Sequence, residues 1–291
     1  MKKEITTEKL PVFFHIPKNA GTYTNDVLWF SLRYHVKAKN ARGTMKRLIC
    51  LDHLDREEFN IFLYDFEDDY FKNENFTTIN NFVVSCDFSF FAEYYLKNNN
   101  LKIYSVTINA AGFKSADKIC NYLEENANKD LKKFIILREA LSRECSLFKY
   151  LKSDLSKHEK THGSIAADNL SDYLTSNRVS DSWIIRSLLN IQNDESITDD
   201  HYNTCIEKLN EFEVASINGV DSLINKILME CYSYNKDTVF NYLKSINKDK
   251  FNVNKNSSSS SIPNLDECVI FKFRERTKYD SMIYDHFNHK F

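Results

Sequence analysis

Apolar positions follow two rhythms along this chain. In the first half they gather into short runs rich in β-branched and aromatic residues, at 11–16 (PVFFHI), 47–51 (RLICL), 82–86 (FVVSC), 102–108 (KIYSVTI) and 134–137 (FIIL). Short apolar runs of this kind suit strands buried on both faces. Each is followed by a stretch long enough for a helix, so the pattern predicts βαβ units around a central parallel sheet flanked by helices. The acidic stretch 65–74 reads as a solvated loop or helix face. In the second half the rhythm becomes that of a helix. Tyr202, Cys205, Ile206, Leu209 and Phe212 recur at helical spacing, as do Val220, Leu223, Ile224, Ile227, Leu228 and Cys231. The serine run 257–261 with Pro263 predicts a loop, and a last amphipathic helix carries Tyr279, Met282, Ile283 and Phe287. No internal repeat or boundary interrupts the pattern. The expectation is one α/β domain over residues 1–291 with a helical C-terminal half.

Composition narrows the function classes. A formal charge of −2 offers no electrostatic grip on nucleic acid or on an anionic membrane. No stretch approaches the roughly 20 apolar residues that span a bilayer, and MKKEITTEKL at the start lacks the apolar core of a signal peptide. Seven cysteines stand singly, with no C-x-x-C pair, as expected of reduced thiols in a cytoplasmic protein. With only five glycines, each is expected to serve a backbone need.

The stretch FFHIPKNAGTYT, residues 13–24, carries the first candidate chemistry. If residues 13–16 form a buried strand and a helix starts near Tyr23, residues 17–22 are a turn at the carboxyl end of the strand, where open α/β sheets bind ligands. The N–H groups of Gly21, Thr22, Tyr23 and Thr24, with two threonine hydroxyls, then make a cup for an anion, and Lys18 adds a positive charge. The Walker A spelling is absent, because the lysine precedes the glycine and the first glycine is missing. An ordinary turn is the alternative. A second strand-to-helix stretch, FIILREALSRECSLFKYL (134–151), places Arg138 at the strand end and Ser146 eight residues later on the helix, with Arg143 on the same helix face as Ser146. A guanidinium fork and a hydroxyl suit a phosphate dianion.

HIPKNAGT and LREALSRECS resemble the two cofactor motifs of the sulfotransferases that use 3′-phosphoadenosine 5′-phosphosulfate (PAPS), in the branch of the heparan sulfate 2-O- and 6-O-sulfotransferases and their bacterial relatives. DSWIIRSLL (181–189), the stretch 197–228, read as two late helices, and the terminal ERTKYDSMIYDHFNHKF are similar to later segments of that family. The resemblance implies a P-loop-like fold, with PAPS held by Lys18, Asn19, Gly21, Thr22, Tyr23 and Thr24 at its 5′-phosphosulfate. Arg138 and Ser146 would hold the 3′-phosphate. It also implies a carbohydrate or glycoconjugate acceptor. Glu139 and Ala140 stand where the family has Asp-Pro, and Tyr23 where it has a small hydroxyl residue.

Sulfuryl transfer shares the physics of phosphoryl transfer, so positioning and electrostatics carry it, with Lys18 stabilising the leaving oxygen and no metal needed. The family's histidine base falls here on FVVSCDFSFF (82–91), where Cys86 and Asp87 take the Gly-His positions. Asp87 is the candidate base if burial raises its pKa, and a helix cap if not. His15 is a rival, read as a satisfied core histidine because it shares a strand face with Phe13. His53 reads as a loop histidine. HEKTH (158–162) spells a zinc-peptidase motif, but its polar surroundings and Gly163 read as a solvated loop. Two other readings remain, a small-molecule kinase on the same kind of sheet and a nucleotide-binding homologue without activity.

Overall fold

The computed structural model describes residues 9–21, 23–25, 27–28, 41–52, 55–66, 78–84, 101–127, 130–153, 167–246 and 264–288. Among these, seven strands form one sheet: β1 (Lys9–His15), β2 (Ala41–Asp52), β3 (Asp55–Phe66), β4 (Thr78–Val84), β5 (Leu101–Asn109), β6 (Asp130–Leu137) and β7 (Glu213–Ser216). Their order across the sheet is β2-β3-β4-β5-β1-β6-β7. Neighbours from β4 to β7 are all parallel, while β3 is antiparallel to both β2 and β4. The helices are α1 (Ala116–Ala127), α2 (Ala140–Ser153), α3 (Leu170–Thr175), α4 (Trp183–Leu189), α5 (Asp199–Leu209), α6 (Val220–Tyr232), α7 (Lys236–Ile246), α8 (Glu267–Arg276) and α9 (Lys278–Phe287). Residues 21, 23–25 and 27–28 are also helical and follow β1.

Residues 12–14 of β1 and 134–137 of β6 are apolar at every position because the sheet is covered on both sides there. Leu10, Val12 and Phe14 of β1, with Ile135 and Leu137 of β6, pack on one face against α1, α4, α5 and α9. Phe13 of β1, with Phe134 and Ile136 of β6, packs on the other against Tyr23, Val27 and Leu28 and against α6. Alternate side chains of a strand point to opposite faces, so a run without polar interruption marks a strand with a layer on each side. A third apolar cluster joins α2 and α3 to Phe273 of α8. Each Leu, Ile or Phe fully buried in this way contributes roughly 1.5–3 kcal/mol.

Two expectations are corrected. The stretch after residues 47–51 is not a helix but β3, which completes an antiparallel hairpin with β2, so part of the sheet is not parallel. Residues 59–66, FNIFLYDF, supply the aromatic and β-branched content that favours a strand, and Asp65 and Phe66 belong to it rather than to an acidic loop. The stretch 197–228 is not two helices alone, because Glu213–Ser216 inserts a fifth parallel strand between α5 and α6. Phe212 therefore lies beyond the end of α5. The last helix forms as expected, burying Tyr279, Ile283 and Phe287, while Met282 is exposed. No helix among the described residues is long and apolar enough to cross a membrane. The serine run 257–261 lies outside the described residues.

Candidate functional site

Beyond β1 the chain goes on to β2, β3, β4 and β5 on one side of the sheet; beyond β6 it goes on to β7 on the other. Adjacent parallel strands whose continuations part in this way leave a crevice at their carboxyl ends, the favoured ligand position in open α/β sheets. Both candidate stretches open there. The turn 16–20 leaves β1, and Arg138 leaves β6. They touch. Arg138 Nη1 donates to the Lys18 carbonyl at 3.1 Å, and Asn19 Nδ2 donates to the Ile136 carbonyl at 2.8 Å.

The turn is tight. Asn19 N–H donates to the Ile16 carbonyl, and Thr24 N–H closes the first helical turn on the Ala20 carbonyl. Lys18 and Ala20 take the left-handed backbone region, with φ of 67° and 56°. That conformation costs a non-glycine residue about 1–2 kcal/mol. Asn19 is buried, and its Oδ1 has no hydrogen-bond partner among the described residues. Gly21 starts the helix, and its missing side chain has a specific reason. A Cβ there would stand 2.5 Å from His15 Cε1 and closer still to Nε2 and Cδ2.

His15 ends β1 under this turn. Its Nδ1 lies 2.8 Å from Asn109 Oδ1, at the paired position of β5, and its ring stacks on Phe13. With the amide oxygen as acceptor, Nδ1 carries the proton and Nε2 is left with its lone pair. Burial pulls the imidazole below its usual pKa; the Asn109 hydrogen bond opposes this and the Lys18 charge reinforces it.

On the β6 side, Arg138 is 5% exposed, and its Nε donates to Ser142 Oγ at 2.9 Å. Burial lowers its pKa. Lys18 is lowered too, by burial first and by the Arg138 charge second. Its ammonium sits 4.3 Å from the centroid of the Tyr150 ring on α2. Lys18 has no carboxylate partner among the described residues. Ser142, Ser146 and Tyr150 follow one another at four-residue spacing along α2, and thus share a face. Ser146 is buried with no hydrogen-bond partner for its hydroxyl among the described residues.

Several expected site residues are otherwise engaged. The Tyr23 hydroxyl donates to Asp221 Oδ1 at 2.6 Å, turning its ring towards α6. Thr24 is fully buried, and its hydroxyl donates to the Ala20 carbonyl, as its N–H does. Among the described residues, the donors left open at the helix start are therefore those of Gly21 and Tyr23, and the expected cup loses both groups of Thr24. Arg143 is also committed elsewhere. Its Nε donates to Glu144 at 3.0 Å and its Nη1 to Asp280 at 3.3 Å, all three groups being buried. Asp280 in turn accepts the N–H groups of Trp183 and Ile184, so this network caps α4 and anchors the last helix. Glu139 accepts the N–H groups of Leu141 and Ser142 and caps α2. Thr22, Asp87, His53 and residues 158–162 lie outside the described residues.

Sequence reasoning missed Ser142, Asn109 and Tyr150. Ser142 was legible as a hydroxyl one turn after Arg138. Asn109 joins the site through the pairing of β1 with β5, which no local pattern announces. No protein-family model, curated protein or solved structure matches this chain. Any functional reading rests on the two motifs and on where the fold puts them.

Proposed function

We propose that the chain is a sulfotransferase that moves a sulfuryl group from PAPS to a hydroxyl of a carbohydrate or glycoconjugate. The observation that carries this reading is the meeting of Lys18 and Arg138 at one crevice, where the Arg138 charge adds to burial in lowering the Lys18 pKa. A polyanion bridging them would remove that repulsion. The parallel strand order β4-β5-β1-β6-β7 supports a P-loop-like arrangement in which the central strand, β1, delivers the anion-binding turn. In this reading Lys18, Asn19, Gly21 and the Tyr23 N–H face the 5′-phosphosulfate, joined by Thr22. Arg138 and Ser146 take the 3′-phosphate. The unpartnered Asn19 Oδ1 fits such a ligand, since it is a buried polar group awaiting a partner, and the Ser146 hydroxyl makes no hydrogen bond among the described residues. Bound there, the donor supplies an activated sulfuryl group. The chain orients it with main-chain N–H groups and holds Lys18 ready for charge developing on the leaving oxygen. Asp87 is the base that the family resemblance suggests.

The test is thermal unfolding with adenosine 3′,5′-bisphosphate, ADP and ATP, each with and without Mg²⁺. A ligand that binds only the native state stabilises it by about 2.7 kcal/mol at a hundred times its Kd. The bisphosphate alone should stabilise without metal, and Lys18→Ala or Arg138→Ala should abolish the effect. Stabilisation by ATP–Mg²⁺ and not by the bisphosphate would replace this reading with a kinase.

A further inference from the structure

The sequence pattern makes His15 a core histidine, but the structure satisfies only half of it. Nδ1 is tied to Asn109, while Nε2 has no hydrogen-bond partner among the described residues. It lies in the space that a Gly21 side chain would fill, against the backbone at the start of the anion-binding helix. The ring cannot swing away freely, because Phe13 stacks on it and Asn109 holds its far edge. An imidazole with one nitrogen locked as donor and the other left without a partner beside the start of the anion-binding turn has the layout of a general base.

We infer that His15, oriented by Asn109, is the proton acceptor of this site. The inference rests on the sulfotransferase reading and gives the base role to His15 in place of Asp87. As the acceptor hydroxyl's oxygen bonds to sulfur, its proton passes to His15 Nε2. The bond from sulfur to the phosphate oxygen breaks, and its electron pair stays on that oxygen, next to Lys18. The imidazole must be neutral for this, and its surroundings keep it so. Asn109 on β5 is uncharged, Phe13 on β1 is apolar, and the helix start at Gly21 presents N–H dipoles. Lys18 on the turn is the charged group that acts on it, and it disfavours a second positive charge. Asn109 is a positioning residue, since in this step it acts through the imidazole.

The test combines imidazole NMR with PAPS cleavage in the full chain, using water as the acceptor and release of adenosine 3′,5′-bisphosphate as the readout. In the free protein, His15 should titrate below 6.5 with the proton on Nδ1, and adding the bisphosphate should raise that titration. Asn109→Asp, which puts a carboxylate on Nδ1, should raise it by about a unit or more and move the acid limb of the pH–rate profile by the same amount. His15→Gln should still be stabilised by the bisphosphate, yet lose the acid limb and about 10²–10⁴-fold in rate. An acid limb unmoved in Asn109→Asp, or a His15→Gln rate within threefold of the parent, would overturn the role of His15 while leaving the nucleotide site standing. Bisphosphate binding with His15 titration unchanged would do the same, as would binding without any cleavage. Absence of bisphosphate binding would remove both this inference and the reading beneath it.

Discussion

Gly21→Ala isolates the contact on which the crevice is built. The backbone at Gly21 is helical and not left-handed, so alanine suits it and the consequence is purely one of space. The new Cβ would stand 2.5 Å from His15 Cε1 and nearer to two other ring atoms, well inside van der Waals contact. The ring can yield only by leaving Asn109, or the helix start can yield by lifting off the sheet. Overpacking of this kind costs about 1–3 kcal/mol, and the broken hydrogen bond adds about 0.5–1.5 kcal/mol. The better helix propensity of alanine returns at most about 1 kcal/mol. The net loss should be about 1–3 kcal/mol, read as a lower urea midpoint at unchanged slope. In a His15→Ala background the ring is gone, and Gly21→Ala should become neutral or stabilising. A double-mutant cycle should therefore show a coupling of about 2 kcal/mol or more, within the range for residues in contact. A loss below about 0.5 kcal/mol, or an equal loss in both backgrounds, would refute the account of Gly21.

Three further outcomes follow from the described contacts. Tyr23→Phe deletes the hydroxyl that donates to Asp221 and should cost about 1 kcal/mol of stability, with bisphosphate binding unchanged; weakened binding would return the Tyr23 ring to the site. Asp280→Asn leaves buried Arg143 without one of its two carboxylates and weakens the cap on α4, so it should cost about 3–5 kcal/mol in chemical denaturation, and a loss below 1 kcal/mol would contradict the network. Burial alone would raise the Glu213 carboxyl, yet hydrogen bonds and charges from Lys132 and Lys226 hold it below its usual value of 4.5. Its contribution is therefore complete above about pH 4.5 and lost as pH falls through the lower folded value; the stability difference between parent and Glu213→Gln should shrink in that window and stay flat above it.

The buried layers were legible because their physics is local. A run such as residues 11–16 has no solvated face to offer, so only a covered strand accommodates it. The α6 periodicity likewise fixes its buried face. The hairpin of β2 and β3 was not legible, since strand after strand and strand after helix look alike until pairing partners are known. β7 was hidden by length, because four residues, EVAS, leave no periodic signature between two strong helices. At the site, the cationic positions 18 and 138 were readable from the turn pattern. The sequence did not disclose which donors were already spent. Thr24 turns its hydroxyl back to Ala20, and Arg143 serves Asp280, 137 residues away in sequence. Long-range partners decide such matters, and they leave no trace in spacing.

Several cations elsewhere among the described residues are met by carboxylates, while Arg276 donates to the Ser176 and Leu174 carbonyls. Arg143 is met by Glu144 and Asp280, Arg186 by a two-point contact with Asp181, and Lys132 by Glu213 and Glu230. In each case a carboxylate offsets the cost of taking a cation out of water. At the end of β1, Lys18 has no carboxylate partner among the described residues. Lys18 packs on an aromatic ring, Arg138 leans on a hydroxyl and a carbonyl, and each is pushed below its ordinary pKa by burial. The same few residues include two non-glycine positions in left-handed geometry and a buried amide oxygen with no donor. Each is a local cost, and proteins tend to concentrate such costs where function requires them. A sheet with this much apolar burial would be more stable with an ordinary turn. That the turn is instead strained, buried and positive is the physical argument for an anion as its partner. A cation-binding role would predict the opposite charge balance at the same spot.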